Sequence, residues 1–200
     1  MSKSFLILLQ QTICSNIYGK NPTLLNIGRH GLPPETRCEE LGYSQVPMHQ
    51  FLQLRKSIRQ QDVGFTEQKL KADAREIIGS VSLAVSEGDF DSLREFTDEQ
   101  ELARLRSRYE ELNDHERKFA RIRPAEIAEV NWVSAFVNEQ DCNVAFGMRA
   151  FGYHWIGGRQ LRTRNFFSAY YELQRPMCEV SERYRVLSAR HMHGHFNFLI

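Results

Sequence analysis

The chain has 200 residues, a net charge of +1, a hydrophobic fraction of 42% and 13 Phe. That length fits one domain with a terminal extension, and the apolar content is enough for a core. Near-zero net charge argues against a general nucleic-acid binder, DNA included, and the apolar run Phe5-Leu6-Ile7-Leu8-Leu9 falls far short of the ~20 residues of a membrane span.

The first acid is Glu35. The hydroxyl-rich, acid-free segment before it resembles a mitochondrial transit peptide; a secretory signal, with Lys3 ahead of the apolar run, is the rival. Gly31, Pro33, Pro34, Gly42 and Pro47 mark a linker, so 1–47 reads as transit peptide and linker. Met48, Phe51, Leu52 and Ile58 then fall at helical spacing, with Arg55, Lys56 and Arg59 following. Such a basic amphipathic helix suits an anionic membrane or a partner, or else packs on the domain with its cations near the negative end of the helix dipole.

The clearest helix follows. Thr66 is its predicted N-cap, Phe65 staples onto Leu70, and Gly88 ends a stripe of Leu70, Ala74, Ile77, Ile78, Val81, Ala84 and Val85. A short helix with Phe90, Leu93 and Phe96 is expected next. Thr97 with Gln100 then reads as a capping box for a helix bearing Leu102, Leu105, Tyr109 and Leu112, whose outer face, Arg104 included, reads as solvated. A last turn runs from His115 toward Arg121, and Pro124 closes the helical half.

The period then changes to two. Strands are expected at 127–137, from Cys142 on, through a long run after Gly157-Gly158, and at 184–189, with 152–158 a loop and 192–200 a tail. In the long run, Leu161, Thr163, Asn165, Phe167, Ala169, Tyr171 and Leu173 share an inner face. Arg162, Arg164, Phe166, Ser168, Tyr170 and Glu172 share the other. Helices followed by a meander predict an α+β fold: N-terminal helices packed on a curved, four-stranded antiparallel sheet, cone-like as in the nuclear-transport-factor-two and cystatin folds.

Three groups of residues could hold chemistry. His191, His193 and His195 alternate, so in an extended segment they share a face of metal-binding imidazoles. No neighbouring carboxylate or Cys completes a site, and they read as a polar tail. The four cysteines, Cys14, Cys38, Cys142 and Cys178, show no CxxC and read as reduced thiols. An acid/base pair could form from His154 with Glu172, or from Asp141 with His191, although spacing favours neither. No phosphate loop, nucleophile elbow or metal-helix motif is present, so no catalytic residue, cofactor or metal is assigned. Between Cys142 and Tyr171 there is no acid, but Arg149, Arg159, Arg162 and Arg164 are present. That strand suits an anionic partner, unless its arginines pair with Glu126, Glu129 and Glu139.

The string Glu87-Gly88-Asp89-Phe90-Asp91-Ser92-Leu93, the charged helix and the final Phe167-Ser168-Ala169-Tyr170-Tyr171-Glu172-Leu173-Gln174-Arg175 together resemble a Tim forty-four-like domain over residues 48–191. Members nearest in pattern are the matrix AAA-peptidase-interacting protein and a mitochondrial large-subunit ribosomal protein. The resemblance implies a non-catalytic adaptor in the mitochondrial matrix, peripheral to the inner membrane. Its partners would be a AAA protease, the import translocase or the mitochondrial ribosome, with anionic-lipid contact. The expected contact residues are Arg159, Arg162, Arg164, Phe166 and Tyr170, joined by Arg55, Lys56 and Arg59. The alternatives are a large-ribosomal-subunit protein, or a small cone-fold ligand-binding protein or enzyme with a dry pocket.

Overall fold

The computed structural model describes residues 37–156, 163–177 and 183–193. The expected transit peptide, the Gly157-Gly158 turn, Arg159, Arg162 and His195 lie outside them. The described elements are α1 (Arg37–Glu40), β1 (Ser44–Gln45), α2 (Phe51–Gln61), α3 (Glu67–Glu87), α4 (Glu99–Glu111), α5 (Asp114–Ala120), β2 (Ile127–Asn138), β3 (Asn143–Ile156), β4 (Thr163–Pro176) and β5 (Arg185–His193). The fold is α+β, a curled antiparallel sheet in the order β1-β2-β3-β4-β5 with helices against it. Among the described residues the sheet has five strands, where four were expected.

Local chemistry sets the helix ends. The Thr66 side chain accepts the Lys69 N–H, and Gly88 closes α3 in the left-handed region at φ 72°. Asp98, rather than Thr97, caps α4, because its carboxylate accepts both the Gln100 and Glu101 N–H groups. Asn113 and Glu116 form a capping box at α5. No helix forms over Phe90, Leu93 and Phe96; that stretch is a series of turns whose Phe90 and Leu93 still reach the core.

Leu70, Ile78, Val81 and Val85 of α3 are fully buried, each contributing about 1.5–3 kcal/mol as an upper estimate. The inner sheet face opposes them with Phe146, Met148, Phe167, Tyr171 and Leu173. Phe65 stacks on Phe146 at 5.7 Å, and the Arg175 guanidinium lies 5.4 Å from the Phe65 ring while donating to Asp62 at 2.9 Å.

The expected linker contributes structure. Ser44 and Gln45 pair with Val137 and Phe136, and Cys38 and Tyr43 build a second small cluster with Phe136, Ala145 and Leu187 on the outer sheet face. Leu187 reaches that face because β5 bulges between the partners of Glu172 and Leu173. The expected 152–158 loop continues β3 to Ile156, and β5 runs on to His193. Cys142 is disulfide-bonded and not the reduced thiol expected, whereas Cys38 is a buried thiol.

The outer edge of β5 is closed by α4. Val186 donates to the Phe96 carbonyl and accepts from the Asp98 N–H, a bridge centred on Thr97. Further along, Glu101 accepts the Ala189 N–H at 2.7 Å while Arg104 donates to the Ala189 carbonyl. The two side chains stand in for a neighbouring strand and blunt an edge that would otherwise recruit other chains. Arg104 is therefore a clamp, not a member of a merely solvated face.

Candidate functional site

Of the expected strand surface, Arg159 and Arg162 lie outside the described residues. Arg164 sits in β4 opposite Trp155, and its side chain is not among those described. Phe166 is half-buried, 6.1 Å from Phe151 and 5.9 Å from Tyr153. Tyr170 is 8% exposed and its hydroxyl lies within hydrogen-bond distance of Ser134 and Glu172. It is a core residue because the Cys38 segment covers this end of the outer face. Glu172 is fully buried there and accepts the Cys38 N–H. Burial raises its carboxyl pKa, against the lowering influence of the Cys38 and Tyr170 hydrogen bonds.

α2 behaves differently. Leu54 and Ile58 pack into the core and Phe51 stacks on Trp132 at 4.8 Å. Phe51 and Ile58 therefore belong to the packed side, as the stripe predicts, whereas Met48 and Leu52 do not. Met48 is 69% exposed, Leu52 75% and, just past the helix, Val63 82%. Residues 48, 52, 56, 59 and 63 succeed one another at three- and four-residue steps, so in the helix Leu52, Lys56 and Arg59 lie along one side. Arg55, Lys56 and Arg59 line a surface hollow with Leu52 and Gln60. Arg55 approaches Glu67 at 3.8 Å, an exposed and weakly held pair.

The second grouping is internal. His154 is 5% exposed, His191 1% and His193 fully buried. His154 Nδ1 lies 3.2 Å from Glu126 Oε2, and its Nε2 lies 3.2 Å from His193 Nδ1. His191 Nε2 meets the Tyr171 hydroxyl, and the backbone carbonyl of Ala120 lies against the same ring. One neutral arrangement satisfies these contacts. Glu126 accepts the Nδ1 proton of His154, whose bare Nε2 accepts from His193, while Tyr171 donates to His191. Burial, then Arg104 and His154, pushes His191 down to about 3. Burial, then His191 and His154, holds His193 well below the ordinary imidazole range. Burial alone would raise Glu126, but His154 and the Arg123 N–H outweigh it and hold the carboxyl low.

Neither expected acid/base pair forms. Glu172 is engaged by Cys38 and Tyr170, Asp141 accepts from Asn138, and the carboxylate on His154 is Glu126. The contact depends on Gly152, where an added Cβ would stand 2.1 Å from the Glu126 carbonyl oxygen. The alternation of His191 and His193 was a usable signal, since it places both on one face; the face is the inside of the sheet rather than a polar tail. Among the described residues no three His, Cys, Asp or Glu side chains are grouped to hold a metal ion. No described helix is long and apolar enough to cross a membrane. Around the cluster the interior is occupied by Phe119, Phe167 and Tyr171, and further along by Trp132 packed edge-on against Phe146 at 5.3 Å.

No protein-family model matches the chain, and no curated protein matches it.

Proposed function

We propose that the chain is a non-catalytic binding protein of the mitochondrial matrix, held peripherally on the inner membrane, serving import, AAA-protease or ribosomal machinery. Its fold is then the nuclear-transport-factor-two-like or cystatin-like cone, used as a filled scaffold rather than a ligand cup. The observation that carries this reading is the outer side of α2. Leu52, 75% exposed, lines one hollow with Arg55, Lys56 and Arg59, and the exposed Met48 and Val63 lie just before and just past the same helix. Apolar residues flanked by cations are what an anionic lipid surface binds. The scaffold reading rests on the interior itself, in which Phe146, Phe167 and Tyr171 are fully buried between α3 and the sheet. The contact surface expected on β4 is accordingly moved to α2, with Tyr170 removed from it.

The test is flotation with anionic and with neutral phospholipid vesicles, comparing the wild type with the combined variant Leu52→Ser, Arg55→Gln, Lys56→Gln and Arg59→Gln. Three cations at about 1 kcal/mol each and about 1 kcal/mol for Leu52 give a loss near ~4 kcal/mol, roughly a thousandfold in partitioning. Wild-type binding to anionic vesicles that salt weakens and the variant lacks supports the proposal. Equal flotation of both proteins rejects α2 as the contact. No wild-type flotation, with partner capture from mitochondria still dependent on these residues, transfers the surface to a protein partner.

A further inference from the structure

β5 is held in two different ways along its length. Its first half is fastened by backbone and side-chain bonds: Val186 to Phe96 and Asp98, and Ala189 to Glu101 and Arg104. Its last residues pair with β4, His191 opposite Ala169 and His193 opposite Phe167, and on their other contacts are fastened by imidazoles. His193 stacks on His154 at 5.2 Å between ring centroids, and His191 lies edge-on to His193 at 6.2 Å. Phe167 of β4 lies 4.7 Å from His154 and 6.4 Å from His193, so the rings sit in an aromatic layer.

The groups facing this cluster are few and come from every neighbouring element. The turn before β2 supplies Glu126, 3.2 Å from His154 and held by the Arg123 N–H. β4 supplies the Tyr171 hydroxyl to His191. α4 supplies Arg104, whose field reaches His191 and whose guanidinium is held by Glu101 at 2.7 and 2.8 Å. α5 supplies the Ala120 carbonyl, with exposed His115 packed against the Phe119 ring. Glu126 can balance one proton on the cluster. A second proton would sit near the first imidazolium and near Arg104, in an interior that water does not screen, with Glu101 already committed to Arg104.

We propose that His191 and His193, packed against His154, form a proton-sensitive latch: neutral, they hold the end of β5 against β3, β4 and α5, and protonation in acid releases that end while the first half of β5 and the helices stay folded. The direction follows from the protonation states. Both His191 and His193 resist protonation while packed, whereas a released imidazole binds a proton near about pH 6.5. Opening therefore becomes easier as pH falls below that value, by about tenfold per pH unit for each imidazole released. Above it the latch is closed and insensitive to pH.

Hydrogen exchange of the full chain followed by mass spectrometry tests this, with rates corrected for the intrinsic pH dependence of exchange. Between about pH 7.5 and about pH 5.5, amides near the end of β5 should lose roughly 10–100-fold of their protection, and at both pH values they should exchange faster than those of α3, which are exposed only by global unfolding. The variant His191→Gln with His193→Gln should show no such pH-dependent loss at the end of β5. Should that variant not fold, the wild-type imidazole proton resonances decide instead. Resonances of His191 and His193 that move only together with loss of β5 protection support the latch. Resonances that titrate near about pH 6.5 while β5 stays protected overturn it, as does a wild type in which the end of β5 and α3 carry equal protection at both pH values.

Discussion

The Glu101 clamp is the sharpest place to perturb the fold. The Glu101 side chain is 1% exposed; Oε1 accepts from Ala189 N and Arg104, and Oε2 accepts Arg104 Nε at 2.8 Å. Glu101→Ala leaves the Ala189 N–H buried without an acceptor, worth about 1–3 kcal/mol. The space vacated by two methylene-sized groups adds about 1–2 kcal/mol. Arg104 loses its partner but is one-third exposed and can turn to water, so its share is discounted. The sum is about 2–5 kcal/mol, which would appear as a fall in the urea midpoint at unchanged slope. Glu101→Gln keeps an acceptor for Ala189 and loses only the charge, so its cost should be about 1–2 kcal/mol. A loss below about 1 kcal/mol for the alanine variant, or equal losses for both variants, would refute the claim that this carboxylate closes the sheet edge.

Three further outcomes follow from the same geometry. Global stability should fall in acid: His191, at about 3 when folded, and His193, lower than its ordinary value, favour the unfolded state once pH drops below about 6.5. Urea titrations should show about 1.4 kcal/mol lost per pH unit per imidazole, and little change above about pH 7. Gly152→Ala would drive a methyl group to 2.1 Å from the Glu126 carbonyl and 2.5 Å from the Phe167 ring; because a backbone atom must yield, a loss of at least about 2–3 kcal/mol is expected in thermal melts, along with the His154–Glu126 contact. Asn113→Ala removes the acceptor for the His115 and Glu116 N–H groups, and should cost about 1 kcal/mol.

What the sequence made legible was local. Thr66 and Gly88 mark the ends of α3 because cap chemistry is read within four residues. Asn165, Phe167, Ala169, Tyr171 and Leu173 share the buried inner face as their alternation requires. What escaped was long-range. Ser44 and Gln45 carry no strand pattern; they are strand residues only because Val137 and Phe136 lie opposite. Tyr170 reads as exposed by alternation, yet Cys38, far away in sequence, roofs it over. Glu126 meets His154 across 28 residues, through a close approach that only Gly152 permits. Glu101 and Arg104 look like ordinary surface charges until β5 is placed beside them. The basic outer side of α2 was visible as a pattern, but the sequence placed Leu52 in the packed stripe, where Leu54 in fact sits.

The most direct measurement of the central claim is site-specific photo-crosslinking in intact mitochondria from position 56, with Glu110 on α4 as the exposed control. Adducts from position 56 to inner-membrane lipid, a AAA protease, the translocase or ribosomal proteins, absent from position 110, are the predicted result. A protein that does not fractionate with mitochondria, or that gives the same adducts from both positions, would contradict the account.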